Sequence, residues 1–280
     1  MFQIGKKNTL TALRSTSVGF FLGDDEGNEL LLPNKYVPEG LDIDEKIEVF
    51  IYKDSEDRVI ATTLTPYLYL HEFGYLEIVS VSRVGAFAEW GLEKHLLIPF
   101  SEQPQRLREG QRCIVYLYLD PKTERLVGSC KVNRYLEFED IELEVGQEVS
   151  ILVHERSDLG FNVIINHRYR GLVYANEIFQ SLRIGDEVTA YIKNIRADKG
   201  IDVSLQPLGY TQAIDGNVER ILSVLEVNNG FLPLTDASKP IAIYARLEMS
   251  KKNFKKAVGA LYKQKKIRIA EEGIYLESEQ

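Results

Sequence analysis

The stretch "MSKKNFKKAVGALYKQKKIRI", positions 249–269, holds eight basic residues and no acidic one. Lys251, Lys252, Lys255, Lys256, Lys263, Lys265, Lys266 and Arg268 offer a dense set of cations, and clustered cations do one kind of chemistry well: they hold phosphates or another polyanion. The surrounding chain is acidic, with 42 Asp and Glu against 34 Lys and Arg, a net charge of −8 and a pI near 5.3. The charge is segregated. From position 210 onward there are 11 basic and 9 acidic residues, against 23 and 33 before it. A second cluster, "NHRYRG" (166–171), interleaves Arg168 and Arg170 with Tyr169, a mixture suited to phosphate contact combined with ring stacking. The plainer alternatives are a solvated helix face and a solvated turn.

Residues for covalent or metal chemistry are sparse. Cys113 and Cys130 are too few for a disulfide scaffold or a four-thiolate zinc site. His71, His95, His154 and His167 are dispersed, without metal-ligand spacing. No phosphate-loop, nucleophile-elbow or paired-carboxylate signature appears, so nothing argues for an enzyme and no cofactor or metal is expected. The longest apolar runs fall far short of the roughly 20 residues of a membrane span. "MFQIGKKNTL" lacks the apolar core of a signal peptide, which points to the cytoplasm.

The elements that position the two clusters emerge from an internal repeat. Gly19, Gly85 and Gly160 are separated by 66 and then 75 positions, and the same offsets relate Leu31, Leu97 and Leu172, and Phe50, Tyr116 and Tyr191. One module of about 65 residues is used three times. In each, a segment of period-two alternation ("KIEVFIY", "RCIVYLY", "EVTAYIK") predicts a strand, with Ile47, Val49 and Ile51, then Cys113, Val115 and Leu117, then Val188, Ala190 and Ile192 on one face. A turn and another strand follow, and a glycine opens the second strand where a barrel must bend. Five short strands with a polar segment before the fourth describe a small Greek-key barrel, the OB-fold. Cys113 and Cys130 fall at apolar positions of one hairpin and are expected as buried thiols.

The third copy, with "LGFNV", "RGLVYANEI", "LRIGDEV" and "DVSL" in order, resembles the S1 motif most strongly. The first two copies keep its skeleton, but Asp44 stands opposite Gly185, and Pro33 and Pro99 stand opposite Tyr174.

After "SLQPLGY" the pattern becomes helical. Val218, Ile221, Leu222 and Leu225 recur at i, i+3, i+4 and i+7. Ser238 with Pro240 reads as the start of a second helix, and Ser250 as the cap of a third that carries Phe254, Val258 and Leu261 on one side. "KIRIA", "EEG" and "IYLES" read as a hairpin. Three helices and a hairpin describe a winged helix-turn-helix, whose third helix is the usual groove reader.

The whole is mainly β with a C-terminal α+β domain: three tandem S1-like OB-fold barrels (1–66, 67–138 and 139–208) and then a winged helix (209–280). With "MSKK-x-FKKA-x-GALYKQ" and "DLGFNVIIN", that order resembles the bacterial conserved virulence factor B family of YitL-like proteins. The resemblance implies RNA binding, a post-transcriptional regulatory role and no catalysis. By the S1 pattern it also implies that Phe21 and Phe87 occupy a base-stacking position on the second strand, where the third copy has Asn162, and that Tyr174 replaces a usual histidine. The candidate RNA-binding set is therefore Phe21, Phe87, Arg168, Tyr169, Arg170, Tyr174, Lys251, Lys252, Lys255, Lys256, Lys263, Lys265 and Lys266. The expected partner is single-stranded RNA read with little sequence preference. Alternatives are an adaptor docking on the ribosome, polymerase or a nuclease, and a duplex-DNA transcription factor. No membrane partner is expected, and the sequence does not set the oligomeric state.

Overall fold

A computed structural model describes residues 2–178, 181–207 and 212–277 of the chain. In the first barrel β1 (Lys7–Thr16), β2 (Gly19–Gly23), β3 (Glu29–Pro33), β4 (Lys46–Lys53) and β5 (Val59–Thr62) run in the order β1-β2-β3-β5-β4, closed by antiparallel pairing of β1 with β4. The second repeats it with β6 (Phe73–Val81), β7 (Gly85–Glu89), β8 (Leu96–Pro99), β9 (Arg112–Leu119) and β10 (Leu126–Ser129), as a five-stranded sheet in the order β10-β9-β6-β7-β8. The third, closed again, is β11 (Glu148–Ser157), β12 (Gly160–Ile165), β13 (Tyr169–Tyr174), β14 (Glu187–Ile195) and β15 (Ile201–Ser204). Even the irregularity repeats: the register shifts between Ala12 and Arg14 in β1 and between Ile78 and Ser80 in β6, 66 positions on.

The repeated glycine has a concrete reason. A Cβ built on Gly19 would overlap the carbonyl oxygen of Leu32, on Gly85 that of Ile98, and on Gly160 that of Val173. Gly19 and Gly160 also hold φ of 147° and 153°. The second strand thus lies against the backbone of the third with no room for a side chain.

By contact density the chain divides into Met1–Phe138 with Ile164–Tyr169, and Glu139–Val163 with Arg170–Gln280. Within the first unit, Val49 and Ile51 of β4 are 1% and 0% exposed and join Leu10, Leu22 and Leu32 in the barrel interior, as the alternation predicts. Yet the intervening Phe50 and Tyr52 are also buried, at 2% and 4%. They pack outside the barrel in a cluster with Leu68, Trp90, Leu96 and Leu117 of the second repeat, Phe50 meeting Trp90 edge-on at 5.9 Å. Cys113 and Cys130 are half-buried rather than fully buried, with their sulfurs 3.4 Å apart.

In the second unit the C-terminal domain comprises α1 (Gln212–Val227), β16 (Phe231–Leu232), α2 (Pro240–Leu247), α3 (Lys251–Lys263), β17 (Ile267–Ile269) and β18 (Ile274–Leu276). Its core joins Val218, Ile221 and Leu225 of α1 to Ile243, Phe254, Leu261 and Ile274. The predicted hairpin gains a third strand, β16, paired with β18. Ser250 caps α3 as expected, accepting from the Asn253 amide at 3.1 Å. Ser238 does not cap α2: that helix begins one residue later, after Lys239, and the Ser238 hydroxyl instead accepts from the Thr235 amide. Among the described residues no helix is long and apolar enough to cross a membrane.

Gly19→Ala tests the corner. It is expected to destabilise the chain by more than about 1 kcal/mol in denaturant titration, because both the dihedral and the Leu32 carbonyl oppose a Cβ. Unchanged stability would show that the corner relaxes freely.

Candidate nucleic-acid interface

Helix α3 buries Phe254, Ala257, Val258 and Leu261. At 3.6 residues per turn the line directly opposite that stripe is Lys252, Lys256, Gly259 and Lys263. The three lysines are exposed, and none has an ion-pair partner among the described residues. Two expected members are engaged otherwise. Lys251 is half-buried and donates from Nζ to the Ser238 carbonyl at 2.9 Å, and Lys255 pairs with Asp236 at 3.3 Å. So Lys251 braces the start of the helix and Lys255 flanks the line, while Lys252, Lys256 and Lys263 form it.

The end of α3 carries the charge into the wing through an αL turn. The Lys265 amide donates to Tyr262 O and the Lys266 amide to Leu261 O, with Lys265 at φ 57°. That position ordinarily takes glycine, because a side chain there costs roughly 1 kcal/mol or more. A lysine stands where folding alone favours glycine. Gly259 is the converse: nothing lies within 4 Å of the Cβ it lacks, yet a mid-helix glycine is less stable than alanine. Both positions sacrifice stability on the same exposed face. Arg268 continues the charge on β17, its guanidinium 4.5 Å from the Tyr275 ring.

In the third barrel Asn166 and His167, with φ of 48° and 55°, make a two-residue turn between β12 and β13. Its residues do not act as one cluster. Tyr169 opens β13 on the inward-facing parity and is 2% exposed, so its ring is not offered for stacking. Arg168 is spent on Glu137, with Nε donating at 2.7 Å. His167 Nδ1 accepts from the Phe73 amide at 3.1 Å. Strand alternation instead puts Arg170 and Tyr174 together on the outward face, Arg170 exposed and Tyr174 half-buried. Beside them the His154 imidazole is held below its ordinary range by burial and, secondarily, by the charge of Arg170, with Glu155 opposing. Asn162, at the second-strand position, points its amide at Glu155 across 3.4 Å.

Phe21 and Phe87 are both half-buried on second strands. Arg14 lies over the Phe21 ring at 4.2 Å, while its guanidinium pairs with Glu29 at 2.6 Å. Phe87, opposite Leu97 on β8, faces a cleft of about 550 Å³ walled by the β4–β5 hairpin of the first barrel. Two cations and one carboxylate of the second barrel meet that hairpin. Lys94 Nζ donates to Lys53 O and Asp54 O at 3.0 and 2.6 Å, Arg125 Nε donates to Asp57 at 2.7 Å, and Glu124 takes Lys53 at 3.2 Å. Burial pushes the Lys94 ammonium below the usual lysine range. Lys94, Arg125 and Trp90 escaped the sequence reading because their role depends on how two barrels meet. The available signal was Trp90, the single tryptophan of the chain.

Comparison with known proteins agrees with this organisation. The CvfB-like winged helix domain model matches residues 219–276, and the S1 domain model matches residues 4–64. The S1 match falls on the first barrel, although the third carries more of the motif's residues in order. The uncharacterized protein YitL of Bacillus subtilis is 28% identical over 94% of this chain and 90% of its own length. Conserved virulence factor B of Staphylococcus aureus (strain bovine RF122 / ET3-1) is 27% identical over 82% of this chain and 78% of its own. Over most of its length the chain is similar to proteins named conserved virulence factor B. A crystal structure from Streptococcus pneumoniae, described as a multidomain protein with nucleic acid binding domains, is 23% identical, covers 98% of both chains and superposes with a TM-score of 0.43.

Two substitutions test the reading of α3. Lys265→Gly and Gly259→Ala are each expected to stabilise the C-terminal domain by about 1 kcal/mol in thermal or denaturant unfolding. Each is also expected to weaken polyanion binding, the first by removing charge and the second by filling the gap in the lysine line. Tighter folding with undiminished binding would separate that face from the interface.

Proposed function

We propose that the chain binds single-stranded RNA with little sequence preference and acts as a post-transcriptional regulator. Binding runs through the outward face of β13, with Arg170 and Tyr174, and through Lys252, Lys256, Lys263, Lys265 and Lys266 of the winged helix. The observation that carries this reading is the line of unpaired lysines opposite the core of α3, in a chain whose remainder is strongly acidic. The domain types agree with it: OB barrels hold single strands by stacking and charge, and winged helices present their third helix to nucleic acid. An available aromatic ring at Tyr174 favours unstacked bases over a duplex, whose bases are already stacked.

Net negative charge sets the conditions. Phosphate affinity comes from Lys and Arg, and repulsion from the acidic repeats sharpens the salt dependence. For single strands each neutralised phosphate contributes about 0.7 to the slope of log K against log salt. Lys252→Ala, Lys256→Ala and Lys263→Ala combined are therefore expected to flatten that slope by about 2, measured by fluorescence anisotropy with an RNA oligonucleotide. Lys251→Ala with Lys255→Ala is expected to change it less, since both already have partners. An unchanged slope in the triple variant removes the helix from the site, and preference for duplex DNA in the same titration overturns the single-strand reading.

A further inference from the structure

The two cysteines of the chain lie 17 positions apart in a sequence of 280, yet their sulfurs stand 3.4 Å from one another. Strand register brings them together. Cys113 is the second residue of β9, and Cys130 is the first residue after β10. The β9–β10 ladder ends with Ser129 opposite Tyr116, so the same register sets Cys130 opposite Val115, on the face that alternation gives to Cys113. In the other repeats these two positions hold Ile47 with Leu64, and Val188 with Leu205. A facing pair of thiols therefore belongs to the second barrel alone, which is also the one whose sheet is not closed. Its β8 and β10 form no ladder, whereas β3 pairs with β5 and β13 with β15. The end of β10 is held instead by the segment after β8. The Cys130 amide donates to Glu102 O at 3.0 Å, and the Ser129 hydroxyl to the Glu102 carboxylate at 2.6 Å.

Both thiols are half-buried, so a small molecule reaches them more readily than a second protein chain does. A disulfide bond is about 2.05 Å long, so the sulfurs need to close by roughly 1.4 Å, which side-chain rotation covers. The hydrogen bond between them, then burial and the Glu102 carboxylate, push the Cys130 thiol up, while the same hydrogen bond draws Cys113 down against burial. The thiolate is the nucleophile, so Cys113 attacks first. We propose that Cys113 and Cys130 are a site of reversible covalent modification, forming an intramolecular disulfide with a low-molecular-weight disulfide as oxidant. The Cys113 sulfur attacks one sulfur of the oxidant, whose S–S bond breaks, and the first small thiolate leaves. The Cys130 sulfur then attacks the Cys113 sulfur of the mixed disulfide, and the second small thiolate leaves. The protons released by the two cysteines end on the two small thiols. The protein is oxidised by two electrons and the oxidant is reduced by two. The new bond ties β10 to β9 where their ladder stops, beside the open edge of the sheet. It uses none of the residues assigned to RNA binding above, so either reading stands or falls without the other.

The full-length protein, incubated with oxidised glutathione and then with N-ethylmaleimide, is expected to lose two hydrogens in intact mass and to take up no maleimide. Peptide mapping is expected to join Cys113 to Cys130, and dithiothreitol to restore both thiols. Cys130→Ser keeps a hydroxyl beside Cys113 and is expected to trap the glutathione adduct on Cys113 that the unaltered chain resolves. Cys113→Ser is expected to take up glutathione more slowly. The oxidised chain is expected to unfold at a higher denaturant midpoint than the reduced one, because the link restricts the unfolded chain. The double variant Cys113→Ser with Cys130→Ser is expected to show no such shift, which separates the link from other effects of the oxidant. Thiols that stay open to maleimide under a large excess of oxidised glutathione overturn the proposal. So does a link made between two chains, or one made only in denaturant.

Discussion

The architecture depends on a close approach made three times. At the head of each barrel's second strand the backbone lies so near a carbonyl of the third strand that only glycine fits, at Gly19, Gly85 and Gly160. This contact lets a short sheet curl far enough for its first strand to meet its fourth, which encloses a core and, in the first and third barrels, closes the sheet and removes its free edges. Outward-facing positions such as Phe21, Phe87 and Tyr174 take their direction from the strands so set.

The first two barrels are joined by burial more than by charge. Phe50 and Tyr52 lie on the outside of one barrel yet are as buried as its interior. Each such aromatic side chain removed from water contributes roughly 1.5–3 kcal/mol. The ion pairs around that contact, Lys35 with Glu93 and Arg125 with Asp57, are exposed and contribute little net stability once ordering and hydration are counted. The value of Arg125 with Asp57 lies in geometry: with Lys94 it holds one hairpin over the Phe87 face and converts an open sheet surface into a cleft.

Charge governs the other end of the chain. The winged-helix domain keeps a lysine at a left-handed position and a glycine in an open helix middle, both unfavourable for folding. Local violations of folding rules are where function is expected to sit, since stability elsewhere can absorb them. Here the core of Ile221, Ile243, Phe254 and Leu261 supplies that stability, each of the four being fully buried.

The repeat, the barrel alternation, the glycine corners and the helix cap at Ser250 were all legible in the amino-acid order, because each is a local rule about spacing or dihedral freedom. The positive helix was legible for the same reason: charge and a 3.6-residue period survive without a structure. What the order of residues could not reveal is which side chains are already engaged. Tyr169 and Arg168 read as a binding cluster until β13 proved to begin at Tyr169, turning its ring inward and leaving Arg168 to Glu137. Lys251 and Lys255 looked equivalent to Lys252 and Lys256, but neighbours distant in sequence claim them. Phe87 was named from the sequence, but the cleft it faces was not, since its roof comes from another repeat. Period and composition are properties of a segment; burial, pairing and enclosure are properties of what that segment meets, and only the tertiary fold decides them.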